Sequence, residues 1–258
     1  MRDLDRFDEL SDRLASGFSG VPGAHGLVLV GSAAAAGRRD RWSDHDFLAL
    51  VDADDAVAAR NRLDWLPDRE RIVLIAREGA LGFSVLYDDA HLLEFAVASV
   101  DELAGAPIHD AQLAFGDDRA RTFVSEGRAR ANSVVAVDAA AEAGLIYVKL
   151  LVGHGRARRG ERIVGGHFVR VWAIGHLLRV IRQRLTPDVA AEEDPLEPAR
   201  RFDAAYPGIS ARLDAVLATP VETAARGVAA LTRDLLEPGW TEFPSAAADV
   251  VEAVLAER

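Results

Sequence analysis

The stretch that decides the fold is residues 27–51, LVLVGSAAAAGRRDRWSDHDFLALV. An apolar segment runs into Gly31-Ser32, crosses a run of alanines and arginines, and leads into a second apolar segment carrying Asp44 and Asp46. Side chains alternate along a strand, so the two aspartates share a face, about 7 Å apart. Carboxylates placed side by side repel each other and resist burial unless a cation lies between them. Oxygen donors of this kind suit Mg²⁺, which takes one or two carboxylates and completes its shell with water and phosphate oxygens. A third acid, Glu94, sits in the alternating LLEFA, where Leu93 and Phe95 turn to the opposite face.

Gly31-Ser32 fits neither of two well-known phosphate loops. A Walker loop needs four residues between its glycines and then Lys-Ser or Lys-Thr. Here five residues separate Gly31 from Gly37, and Arg38-Arg39 follows. The Gly-x-Gly-x-x-Gly of dinucleotide-binding folds is absent as well. What remains is a strand, Gly-Ser and a helix start. Glycine permits close backbone approach, and a serine hydroxyl with exposed N–H groups binds phosphate.

Working outward, residues 4 to 18 place Leu4, Phe7, Leu10, Leu14 and Phe18 at helical intervals. Leu27 to Val30 and Asp46 to Val51 read as strands, with Ser32 capping a short alanine helix that Gly37 ends. A helix is expected from Asp54 to Trp65. Strands are expected at 71–76, 83–87 and 91–99, with a hairpin turn at Tyr87-Asp88-Asp89-Ala90 and a further short strand at RTFVSE, 121–126. Beyond about residue 134 the pattern becomes helical, and Pro187 to Pro198 reads as a linker. The expected class is α+β: a mixed β-sheet flanked by helices over 1–130, then a helical bundle over 131–258. A cleft between the two halves is the default place for a ligand.

Composition narrows the function. The net charge of −11 disfavours a protein that grips nucleic acid, which normally shows a basic face. There are no cysteines, which excludes disulfides, thiolate nucleophiles and cysteine zinc sites. No stretch approaches the roughly 20 apolar residues of a membrane span, and the N-terminal residues lack the pattern of a secretory signal. A cytoplasmic location is the expectation.

The apolar run, Gly31-Ser32, eleven intervening residues, Asp44-x-Asp46 and the later strand with Glu94 resemble the nucleotidyltransferase superfamily related to DNA polymerase β. FSVLYDDAHLLEFAVASVDEL and RRGE at 158–161 are similar to its small-molecule branch, which includes aminoglycoside and lincosamide nucleotidyltransferases. The specific motifs cover residues 27–103. The resemblance implies that Gly31 and Ser32 hold a triphosphate, that Asp44 and Asp46 bind Mg²⁺, two ions in all, and that Glu94 is a further ligand or the base that activates an acceptor hydroxyl. It implies transfer of a nucleoside monophosphate from an NTP, ATP being the first expectation, to a small hydroxylated acceptor such as an antibiotic. A polyamine-like acceptor suits the acidic balance. Two other readings stay open: an antitoxin-type enzyme that modifies a partner protein, and a nucleotide-binding regulatory module without turnover. His45 departs from the aliphatic residue usual between the aspartates, but faces away from them.

Other residues carry two readings each. Arg38, Arg39 and Arg41 either neutralise phosphate charge, Arg41 being the candidate, or are solvated loop residues. Lys149 either snorkels to the surface or reaches a nucleotide. Trp42 is a stacking surface or a wedge. Glu142 is a reserve base or an exposed helical acid, and His176 reads as a satisfied core or groove residue.

Overall fold

The computed structural model describes residues 2–133, 137–190 and 197–257. The chain divides into two compact units, Met1–Val134 and Val135–Arg258. Of the proposed linker, residues 191–196 lie outside the described residues.

The first unit opens with helix α1 (Arg2–Ser19), whose Phe7, Leu14 and Phe18 are buried as the spacing predicts; the side chain of Leu4 lies outside the described residues. Strand β1 (Ala24–Val30) follows, then helix α2 (Gly31–Ala34), strand β2 (His45–Val51) and helix α3 (Ala56–Asn61). Next come β3 (Ile72–Glu78), β4 (Gly82–Tyr87), β5 (Leu92–Ala98), β6 (Ala111–Gly116) and helix α4 (Asp118–Asn132). The six strands form one mixed sheet in the order β3-β4-β5-β2-β1-β6. Every pairing is antiparallel except β2 with β5, which is parallel. The turn after β4 sits where the sequence places it, with Ala90 at φ 65°.

Three local expectations change. RTFVSE is not a strand: it lies inside α4, where the Asp117 side chain accepts the Ala120 N–H and starts the helix. The strand instead is β6, AQLAFG, whose alternation is too weak to stand out alone and which is held by antiparallel pairing to β1. Ser32 is not a cap, since α2 begins at Gly31 and has no side-chain cap. The helix expected over Asp54–Trp65 shrinks to α3, and Trp65 packs edge-on against Phe18 instead.

Two cores hold the sheet. α1 and α3 cover one face, burying Phe18, Phe47, Val85, Leu93 and Phe95. α4 packs on the other face along β1 and β6, and Val28, Ala120 and Phe123 share that core with Leu50 of β2. Each Val, Leu or Phe among these contributes about 1.5–3 kcal/mol on burial. Gly17 lets α1 come down onto the chain at Trp65, since a Cβ there would lie 2.2 Å from the Trp65 carbonyl oxygen. Gly17→Ala is therefore expected to lower stability by about 1–3 kcal/mol or more; an unchanged urea midpoint would contradict that close approach.

At the far end of β2, His25 ties three elements together. Its Nε2 lies 2.9 Å from Asp52 and its Nδ1 2.8 Å from Asp117, while Arg119 also bonds Asp52. Burial alone would lower the His25 pKa, but the hydrogen bonds and charges of Asp52 and Asp117 outweigh it and raise the pKa above 6.5. A raised folded-state pKa means that the proton stabilises the fold below the unfolded value and that this contribution is lost as pH rises through the folded one. The stability gap between the wild type and His25→Ala should accordingly shrink as pH climbs above about 6.5. A gap that stays constant from pH 6 to 9 would show that the imidazolium is not what holds these elements.

The second unit is helical: α5 (Ala139–Arg158), α6 (Arg162–His167), a π-helical segment (Phe168–Ala173), α7 (Ile174–Arg184), α8 (Phe202–Ala205), α9 (Pro207–Leu217), α10 (Val221–Leu236) and α11 (Ser245–Ala256). Asp138 caps α5 by accepting the N–H groups of Ala140 and Ala141. α5 is the central helix, and its Ile146, Tyr147 and Leu150 are fully buried against the surrounding helices. No helix among the described residues is long and apolar enough to cross a membrane.

Candidate metal centre and phosphate loop

The register of β2 and β5 builds the site. Asp46 stands directly across from Glu94 in the parallel ladder, and Asp44 precedes Asp46 by one pleat. The three carboxylates each offer an oxygen, and these oxygens lie within 4.8 Å of one another. None of the three side chains is buried. Asp46 shares the face of β2 with Leu48 and Leu50, the face on which α4 packs along β1 and β6. On the next strand the Ser84 hydroxyl sits between Glu78 and Glu94. Three convergent carboxylate oxygens form a hard, anionic donor set, which fits a divalent cation such as Mg²⁺.

His45, between the aspartates, points the other way and is fully buried, stacked on Phe7 at 3.6 Å between ring centroids. Its Nε2 lies 3.2 Å from the Phe7 carbonyl and its Nδ1 2.7 Å from His91 Nε2. The Ser11 hydroxyl lies closer still to Nε2, at 3.0 Å, so both ring nitrogens of His45 have hydrogen-bond partners. Burial, reinforced by His91, pushes the His45 pKa down to about 3, which keeps the ring neutral. A neutral pair behind β2 anchors the strand to α1 without adding charge beneath the carboxylates.

Gly31 and Ser32 begin α2 at the end of β1, the strand beside β2. Gly31 has φ 58°, a left-handed conformation that glycine adopts without strain. The arginines that follow divide. Arg38 pairs with Asp110. Arg39 is not the solvated loop residue that the sequence allows: its side chain is 4% exposed, lies over the Phe7 ring and bonds Asp8 and the Ala33 carbonyl. Arg41 has its guanidinium 4.2 Å from the centre of the Trp42 ring, and Trp42 is 77% exposed. A pocket of about 520 Å³ opens beside Asp44, with Trp42 and Arg41 in its wall. Sequence patterns alone do not reveal this pocket, because α1, the 40–43 loop and the β4–β5 turn meet there from distant parts of the chain.

The remaining candidates lie in the helical unit. Lys149, the chain's one lysine, has its Nζ 5.7 Å from the Trp172 ring centre. Glu142 is not an exposed acid. It accepts hydrogen bonds from His176 at 2.7 Å and Arg179 at 2.8 Å. Burial would raise its pKa, but these partners outweigh that and lower it, which makes Glu142 a weaker base. His176 is thereby satisfied, as its sequence context suggests.

No family model matches the chain, and no curated protein sequence matches it. Among solved structures, the chain is similar to the crystal structure of an aminoglycoside 6-adenyltransferase from Bacillus subtilis, at 10% identity and a TM-score of 0.40. The alignment covers 97% of this chain and 99% of that one. A likeness at that TM-score carries no weight for the chemistry, which rests on the carboxylate geometry and the sequence motifs.

Proposed function

We propose that the chain is a divalent-metal-dependent nucleotidyltransferase that moves a nucleoside monophosphate, AMP first, from an NTP to a hydroxyl of a small molecule. The observation that carries this reading is the convergence of Asp44, Asp46 and Glu94 within 4.8 Å, beside a strand that runs straight into Gly31-Ser32. Mg²⁺ held by these carboxylates, two ions in the full site, would neutralise triphosphate charge and polarise the α-phosphorus.

The chain's own residues have separable roles. Gly31 brings backbone N–H groups close to phosphate oxygens, and the Ser32 hydroxyl adds a donor. Arg41 supplies positive charge near Asp44. Glu94 either completes the ligand set or takes the proton of the acceptor hydroxyl. Lys149 is the helical unit's candidate for binding phosphate, and Lys149→Met is expected to weaken ATP affinity in a calorimetric titration. The acceptor is expected to be an aminoglycoside- or lincosamide-type compound, a class whose ammonium groups suit a protein of net charge −11.

The deciding experiment incubates the protein with each NTP, Mg²⁺ and a panel of hydroxylated antibiotics, and follows pyrophosphate release and product mass. A gain of one nucleoside monophosphate on a compound supports the proposal. The same gain on a protein partner would replace it with the antitoxin-type reading, and NTP binding without pyrophosphate release would leave a regulatory module.

A further inference from the structure

The 40–43 loop presents an aromatic surface that packing does not use. Trp42 is 77% exposed, although burying an indole is among the more favourable things a fold can do with it. The loop holds it in place. Trp42 N–H donates to Asp40 Oδ1 at 2.8 Å, Asp40 N–H donates to Ser43 Oγ at 2.9 Å, and Ser43 N–H donates to the Asp40 carbonyl at 3.1 Å. The indole therefore stands on a closed turn two residues before Asp44. One face is occupied by the Arg41 guanidinium at 4.2 Å, a cation–π contact that leaves the opposite face free.

Charge separates Arg41 from its neighbours. The other arginines of the pocket are committed: Arg6 to Asp89, Arg13 to Asp68, and Arg71 to Asp88 and Asp89. Arg41 has no carboxylate partner among the described residues. Consecutive residues thus offer a flat π surface and a cation without a carboxylate partner, at the wall of a pocket of about 520 Å³ that Asp44, the first acid of the carboxylate cluster, also lines. A ligand that satisfies all three carries a planar ring and an anionic group in one molecule, and places the anion near a metal position. A nucleotide has this layout. A polyhydroxylated acceptor bearing ammonium groups has no anion to pair with Arg41.

We infer that Trp42, backed by Arg41, is the platform on which the nucleobase of the NTP stacks, an inference that rests on the nucleotidyltransferase reading. Stacking tolerates any base but strengthens with ring area, so ATP and GTP bind more tightly than CTP and UTP.

The test is calorimetric titration of the full chain with Mg²⁺ and either ATP or inorganic tripolyphosphate. Trp42→Ala is expected to weaken ATP about tenfold while leaving tripolyphosphate within about twofold, since only ATP has a ring to stack. Trp42→Phe should restore most of the loss. Trp42 lies outside the core, so the thermal midpoint serves as the check that both variants fold. Unchanged ATP affinity in Trp42→Ala, or an equal loss for ATP and tripolyphosphate, overturns the inference. If the wild type binds neither ligand, the nucleotidyltransferase reading falls and the platform with it. If it binds ATP through Trp42 but releases no pyrophosphate, transfer fails and the platform stands.

Discussion

Asp46→Asn is expected to lower nucleotidyl transfer at least about a thousandfold, equivalent to about 4 kcal/mol of barrier. Asparagine keeps the shape of the side chain and removes its charge. The position matters because Asp46 sits at the centre of the cluster, across the ladder from Glu94 and one pleat from Asp44. Without its carboxylate, the donor set loses a third of its formal negative charge, and with it much of its hold on a divalent ion. Stability should stay the same or rise slightly, because removing one of three carboxylates relieves their mutual repulsion in the metal-free protein. The check pairs a pyrophosphate-release assay with a urea melt of the same preparation. Near-normal turnover by a folded Asp46→Asn protein would show that this cluster is not the reaction centre.

Glu94→Gln should cost between about a hundredfold and ten-thousandfold in rate, the range spanned by loss of a positioned general base. The two roles open to Glu94 separate by a second measurement. If Glu94 takes the acceptor proton, the variant keeps the wild-type Mg²⁺ requirement but loses one limb of its pH–rate profile. If it ligates metal, the Mg²⁺ concentration for half-maximal rate rises instead. Its surroundings allow either role, since the Ser84 hydroxyl lies 3.5 Å from one of its oxygens. A Glu94→Gln enzyme that keeps wild-type rates at all Mg²⁺ concentrations would remove Glu94 from the site.

Much of the sheet was legible because its signals are local. The alternation of FSVLY and LLEFAVA identifies β4 and β5, and helical spacing identifies α1. Segments whose state depends on partners were not legible. AQLAFG is a strand because β1 offers it a ladder, and RTFVSE is helical because Asp117 caps the turn before it. The arginines show the same limit. Arg38 and Arg39 look alike in the loop, yet each is taken by an aspartate distant in the chain, Asp110 and Asp8. Arg41, two residues further on, stacks on its neighbour instead. Glu142 read as an exposed acid because the His176 and Arg179 that hold it lie on another helix.

By itself, the sequence determined that Asp44 and Asp46 share one side of a strand while His45 takes the other, since alternation along β2 is a property of the backbone alone. It also determined that the bend after β1 falls on a residue free to adopt a positive φ, because Gly31 has no Cβ to resist it. Only the tertiary structure decided that β5 lies parallel to β2 in the register that sets Glu94 opposite Asp46. That register depends on which strands pair, and pairing is settled by the buried side chains of Phe47, Leu93 and Phe95 against α1 and α3. A slip of β5 by one residue would turn Leu93 and Phe95 out to solvent and move Glu94 to the far face, so the packing of the core fixes the place of the third carboxylate.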